Sequence, residues 1–148
     1  KAFGMQYSAS HTEFIKAHET GAFYFLETAS RVGGAHLAEM VEASSGINLW
    51  YEWAKLEVAI ASGQKYNLPK VRNDYAGIIV SLTRQENPDT SQFSDPEIAW
   101  RMYDMANHIG LIVQSKKRER VLELLDDYAH RVQRDYHASA PAPEKPKN

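Results

Sequence analysis

The sequence predicts an α+β fold: an antiparallel hairpin with helices, then a small β-rich part closed by a C-terminal helix. Three observations carry this expectation. Two strand-like segments, 10–17 and 22–28, flank a short turn that contains Gly21. Two helical patterns follow, near 36–44 and 49–62. Beyond the connector QKYNLPKVRN (64–73), further strand patterns precede one long amphipathic helix. Intermixed strands and helices leave α/β open as the alternative, with a mainly antiparallel first part.

The hairpin turn is read as Glu19-Thr20-Gly21, since a three-residue loop needs a left-handed residue in third place. The second strand is apolar on both faces, with Phe23 and Phe25 on one and Tyr24 and Leu26 on the other. That pattern predicts a central, covered strand. In the first helix Leu37, Met40, Val41 and Ser44 share a face, and Gly46 is placed to end it. Asn48 is the expected N-cap of the second helix, with Gly63 beyond its end. Its stripe of Leu49, Trp50, Trp53, Leu56 and Ile60 reads as core packing.

In the second part, AGIIVSLT (76–83), IAWRMYDM (98–105) and HIGLIVQS (108–115) read as strands, with a loop over 85–97. The closing helix spans about 116–136, with Ser115 as N-cap and Val121, Leu122, Leu124, Leu125, Tyr128 and Val132 facing inward. Three segments are expected: residues 1–63, a small α+β subdomain over 64–136, and a disordered Pro-, Ala- and Lys-rich tail over 137–148. The opening KAFGMQY shows no start signal, so the chain reads as part of a longer protein.

Composition narrows the function classes. The chain has 148 residues, 43% hydrophobic and 24% charged, with a formal net charge of −2 and no cysteine. Mild acidity argues against a general nucleic-acid or membrane-surface role. Without thiols there is neither a disulfide framework nor a Cys-based metal site. The cytoplasm is the default location, and no apolar run approaches the length of a membrane span.

The chemistry concentrates in FYFLETASRVGG (23–34), an apolar run that ends in Glu27, Arg31 and a glycine pair. A buried charge must be paired, hydrogen-bonded or bound to a metal. With the three-residue loop, His18 faces Ala22 and Glu13 lies opposite Glu27. Facing Cβ atoms stand roughly 4.5–5.5 Å apart, so two such carboxylates either share a proton or flank a cation. A hard ion such as Mg²⁺ suits an all-oxygen pair and recruits substrate phosphates. A two-residue loop would shift the register by one and part the acids, leaving two unrelated strand residues. Spacing alone leaves both arrangements open. Gly33-Gly34 before a helix suits an anion at the helix N-terminus, though such a pair also serves as a plain turn. Arg31 suits a carboxylate or phosphate, or a surface acid. The six histidines lack ligand spacing, and the basic run KKRER (116–120) reads as solvated surface.

The stretch SHTEFIKAHETGAFYFLETASRVGGAHLAEMVEASSGINLW (10–50) resembles the last part of an ATP-grasp domain, the family of biotin carboxylase, carbamoyl-phosphate synthetase and many carboxylate–amine ligases. The family pattern is an acid on one strand, a hairpin, E-x-N-x-R on the next, a glycine-containing loop, and a helix ending before G-[IV]-[DN]-L. Glu13, Glu27, Arg31 and SGINL (45–49) match it. Residues 70–136 resemble, more loosely, the small subdomain that follows in the biotin-carboxylase branch.

This resemblance implies a C-terminal portion of an ATP-grasp ligase that activates a carboxylate as an acyl phosphate for attack by an amine or similar nucleophile. Glu13 and Glu27 would hold Mg²⁺, or Mn²⁺, against ATP. Ile15 and Leu26 would border the adenine, Leu26 only if a bulge corrects its parity. Arg31 would hold the acyl substrate or the transferred phosphate. Two departures stand out. Ala29 replaces the asparagine ligand, and Ala35 stands before His36 where biotin carboxylase has its glutamate base. Carboxylation of biotin is therefore not expected. The phosphate-contacting lid and substrate domain would lie in missing N-terminal domains, so the isolated fragment is expected to be inactive. The alternative is a non-catalytic interaction or dimerisation module, with a homodimer as the conceivable assembly and Trp50, Tyr51, Trp53, Phe93 and Trp100 as candidate exposed aromatics.

Overall fold

The computed structural model describes Gly4 and residues 7–139. The expected tail lies outside the described residues apart from 137–139, and His137 forms a β-bridge to Thr83. The chain divides into two compact units, Lys1–Asn73 and Asp74–Asn148, so the 64–73 connector belongs with the first. Both are mixed α/β with antiparallel pairing.

The first unit holds β1 (His11–Lys16), β2 (Phe23–Ala29), α1 (Leu37–Ser45) and α2 (Leu49–Ala61). Gly46 ends α1 in the left-handed region at φ 77°, and its N–H donates to Glu42 O at 2.8 Å. Asn48 caps α2, its side chain accepting from Tyr51 N at 2.9 Å. The connector is tied back onto these helices. Arg72 donates to the carbonyls of Glu42 and Ala43, at 3.2 and 3.0 Å, in the last turn of α1.

Two expectations for this unit fail. β2 is not a covered central strand: β1 and β2 form a two-stranded ribbon, and Phe23, Tyr24, Phe25 and Leu26 are all more than half exposed. A two-stranded ribbon has two faces, and within this chain neither is sealed. Nor is the Trp50 stripe core. Trp50 and Ile60 are exposed, while Glu52 and Ala59 are the buried residues of α2.

The second unit holds β3 (Tyr75–Leu82), β4 (Ile98–Arg101), β5 (His108–Ser115) and α3 (Arg118–Asp135), with strand order β3-β5-β4. β5 is central, and Ile109 through Val113, with Gly110 among them, are buried. Ile109, Leu111 and Val113 pack with Val121, Leu124, Tyr128 and Val132 of α3. Gly77 permits the close approach of α3, since a Cβ there would meet Leu125 Cδ1 at 2.5 Å.

Phe93 is the centre of this core at 0% exposure, not an exposed aromatic. Arg101 holds the 85–97 loop by donating to the carbonyls of Thr90 and Phe93, and the Arg131 guanidinium lies 4.3 Å from the Phe93 ring centroid. Arg120, expected as solvated surface, binds Asp95 at 2.8 Å and Glu97 at 3.0 Å. β4 stops at Arg101 rather than 105, although Met102 N still donates to Gly110 O; Asn107 then takes φ 58° before β5 begins. Leu122 is exposed, and Lys117 rather than Ser115 occupies the N-cap position of α3.

Candidate functional site

The hairpin tip sets the register. Ala17 N donates to Ala22 O, and Gly21 N to Ala17 O, both at 2.9 Å. Ala17 therefore faces Ala22, and the loop has four residues, His18–Gly21, with Gly21 at φ 69°. The expected pairing of His18 with Ala22 is wrong. Lys16, Ile15 and Phe14 accordingly face Phe23, Tyr24 and Phe25.

Between Glu13 and Phe14 the register slips by one, because Leu26 is an extra residue in β2. Such a bulge re-aims side chains and sharpens the twist. Below it Glu13 faces Glu27, Thr12 faces Thr28 and His11 faces Ala29. The acids thus come opposite each other, although the route differs from the three-residue loop. Leu26 and Glu27 both stand against Glu13.

Side-chain contacts fix the two faces of the ribbon. Phe14 and Phe25 meet edge to face at 6.0 Å, Lys16 lies 5.7 Å from the Phe23 ring, and the Thr12 and Thr28 hydroxyls are 2.8 Å apart. The other face carries His11, Glu13 and Ile15 beside Ala29, Glu27 and Tyr24. His11 Nδ1 is 3.7 Å from Glu13 Oε1. Tyr24 is a neighbour that sequence reading missed, because the four-residue loop, not the expected three-residue one, sets it opposite Ile15. Glu27, Ile15 and Leu26 are exposed and Glu13 is half-buried.

Past β2, Arg31 is exposed and makes no ion pair among the described residues; one nitrogen donates to Val32 O at 3.2 Å. It does not neutralise Glu27. Val32 is buried and anchors the loop. Gly33 fits closely, since a Cβ there would meet Leu37 and His11 at 3.2–3.3 Å. Ala35 and His36 then take left-handed φ angles of 51° and 60°. Such strained non-glycine residues cost about 1–3 kcal/mol each and cluster at functional sites. His36 gives α1 no side-chain cap, while Leu37 N donates to Gly34 O at 3.0 Å and Met40 N to His36 O at 3.1 Å.

Among the described residues no group of three or more His, Asp or Glu side chains is placed to hold a metal ion. Two facing carboxylates remain, an all-oxygen donor pair of the kind that holds Mg²⁺ when substrate phosphates complete its shell. The donor chemistry fits; the pair is incomplete without a phosphate.

No family model matches this chain, and no curated protein matches it. It is similar to a solved structure, the crystal structure of phosphoribosylglycinamide synthetase from Anaerococcus prevotii, with a TM-score of 0.53 and 19% identity. The match covers 87% of this chain and 37% of that one. The fold is ATP-grasp-like. At that identity the likeness concerns the fold, and the chain spans little more than a third of that synthetase. Among the described residues no helix is long and apolar enough to cross a membrane.

A second polar centre of this ATP-grasp-like unit escaped the sequence reading. Glu52 is 8% exposed; both its oxygens accept from Lys55 Nζ at 3.1 Å, and Oε2 accepts from the Tyr66 hydroxyl at 2.8 Å. Burial pushes the carboxyl up, but Tyr66 and Lys55 outweigh it and hold Glu52 below the usual carboxylate range. The signal was present, since Glu52 lies on the apolar stripe between Leu49 and Leu56. Its partner Tyr66 comes from the connector, which no periodicity places.

Proposed function

We propose that this chain is the C-terminal portion of an ATP-grasp ligase that converts a carboxylate to an acyl phosphate for attack by an amine or similar nucleophile. The observation that carries the reading is the Glu13–Glu27 pair, brought face to face by a bulge at Leu26. Glu13 and Glu27 hold the Mg²⁺ ions, with Mn²⁺ as a substitute. A metal held by Glu13 and Glu27 would supply positive charge to offset what builds up on the phosphates in transfer. Ile15 and Leu26 offer exposed apolar surface beside the acids, suited to bordering an adenine. Arg31, with most of its five donors uncommitted among the described residues, holds the acyl group or the phosphate in transfer.

Residues 1–148 supply these groups without the phosphate-contacting lysines of a lid. Phosphoryl transfer depends on positioning and on excluding water, so these residues alone are expected to be inactive and to bind Mg·ATP weakly. The proposed setting is the cytoplasm, with ATP, a carboxylate substrate and the N-terminal domains of the same protein as partners. A second reading, a non-catalytic dimerisation module derived from the same fold, is favoured by Ala29, which faces His11 and offers no ligand.

The test is ADP release by the complete protein with Mg²⁺, ATP and a panel of carboxylates and amines. Glu27→Gln is expected to lower kcat on the order of 100-fold or more, since it removes a charge that acts in the transition state. Full activity in Glu27→Gln would refute the metal role. A complete protein without any Mg·ATP turnover, but with a stable dimer, would select the second reading.

A further inference from the structure

One concavity beside α2 uses none of the residues assigned to nucleotide chemistry. Tyr51, Ala54, Lys55, Val58 and Ala59 recur at helical spacing and share one face of the helix. The chain after α2 turns back along that face. Gln64 N donates to Ala59 O at 2.8 Å, and the Tyr66 hydroxyl reaches Glu52 at 2.8 Å. Between helix and strap lies a cavity of about 450 Å³, within the range of roughly 300–1,000 Å³ typical of small-molecule sites.

Its chemistry is one-sided. Two alanines keep the floor open, while Tyr51 and Val58 stand 63% and 66% exposed as apolar walls. Glu52, ionised and bonded to Lys55 and Tyr66, has its charge offset by Lys55, and the residues that line the cavity include no carboxylate. Lys55 Nζ lies 5.1 Å from the centroid of the Tyr51 ring and uses two of its three donors on Glu52. Lys65, Gln64 and Asn67 line the opposite wall, and their side chains have no hydrogen-bond partner among the described residues. The cavity thus combines an aromatic face, an aliphatic wall and a surplus of donors that includes an uncommitted ammonium.

We infer that this cavity binds a small flat organic anion, an aromatic carboxylate, with its ring against Tyr51 and Val58 and its carboxylate at Lys65 and Lys55. The inference stands apart from the ligase reading and survives its failure.

The experiment titrates the full chain with 2-naphthoate, and in parallel with its neutral isostere 2-naphthalenemethanol, reading backbone amide shifts by NMR. Expected are saturable shifts at Tyr51, Val58, Gln64, Lys65 and Asn67, with the neutral isostere about tenfold weaker or more, the factor expected for losing a charge-assisted hydrogen bond. Lys65→Gln is expected to weaken 2-naphthoate by a similar factor and Val58→Glu to abolish binding; both positions are exposed, so folding is not at stake. Absence of saturable shifts, equal affinity for the neutral isostere, or an unaffected Lys65→Gln would each overturn the inference. The comparison of the two probes on the unmodified chain decides the matter without any variant.

Discussion

The same kind of apolar run ends in opposite environments in the two units. In β5 the residues Ile109, Leu111, Ile112 and Val113 are at most 1% exposed, walled by α3 and by strands on both sides. In β2 the run Phe23–Leu26 is as hydrophobic, yet Phe23 is 70% exposed and, among the described residues, the strand pairs with β1 alone. Hydrophobic patterning reports that a strand favours cover. It does not report whether the cover comes from the same segment of chain. The second unit is therefore an autonomous core, and the first presents an apolar ribbon with acids at its base.

Mutations sharpen this contrast. The largest expected effect is in the closed unit, where Leu124→Ala removes a side chain 3% exposed in the core. It should destabilise that unit by about 2–5 kcal/mol, as large-to-small core changes do, measured as faster amide exchange across β5. Next is acid. Asp95 accepts from Tyr128 at 2.6 Å and from Arg120 at 2.8 Å, and these bonds, Tyr128 first, hold its carboxyl below the usual range despite partial burial. A depressed folded value means the stabilisation is complete above the ordinary carboxylate range and is lost as pH falls through the folded value. Urea midpoints of the second unit should stay flat near neutrality and drop in acid, and Asp95→Asn should flatten that drop. An acid response identical in Asp95→Asn would remove the network from the account. The smallest effect belongs to the open ribbon: Phe25→Ser loses the edge-to-face contact with Phe14 and little burial, so it should destabilise this chain by about 0.5–1.5 kcal/mol. A loss of several kcal/mol there would show that the ribbon is covered within the chain and break the comparison.

Most of the secondary structure was legible because local rules decide it. The Asn48 cap, the Gly46 stop and the boundaries of β5 follow from neighbours within one turn or strand. What could not be read depends on distant partners. Phe93 looks like a loop aromatic until Tyr128 and Arg131 of α3 enclose it. Glu52 sits on the apolar stripe of α2, but its partner Tyr66 arrives from 14 residues away. In the site, the pairing of Glu13 with Glu27 was reached through a loop one residue too short and a strand without its bulge, two errors that offset each other. Arg31 was legible as a residue type but not as a partner, since nothing in the spacing says whether it meets Glu27 or faces outward.

The bulge has one more consequence. Above Leu26 the rungs of the ladder are counted from the tip, and below it they keep a different phase. A one-residue insertion into His18–Gly21 lets the upper rungs adopt the lower phase and dissolves the irregularity, while the acids stay opposite each other. The hairpin thus has a built-in slack adjuster, and variation at its far end need not reach the carboxylates at its base.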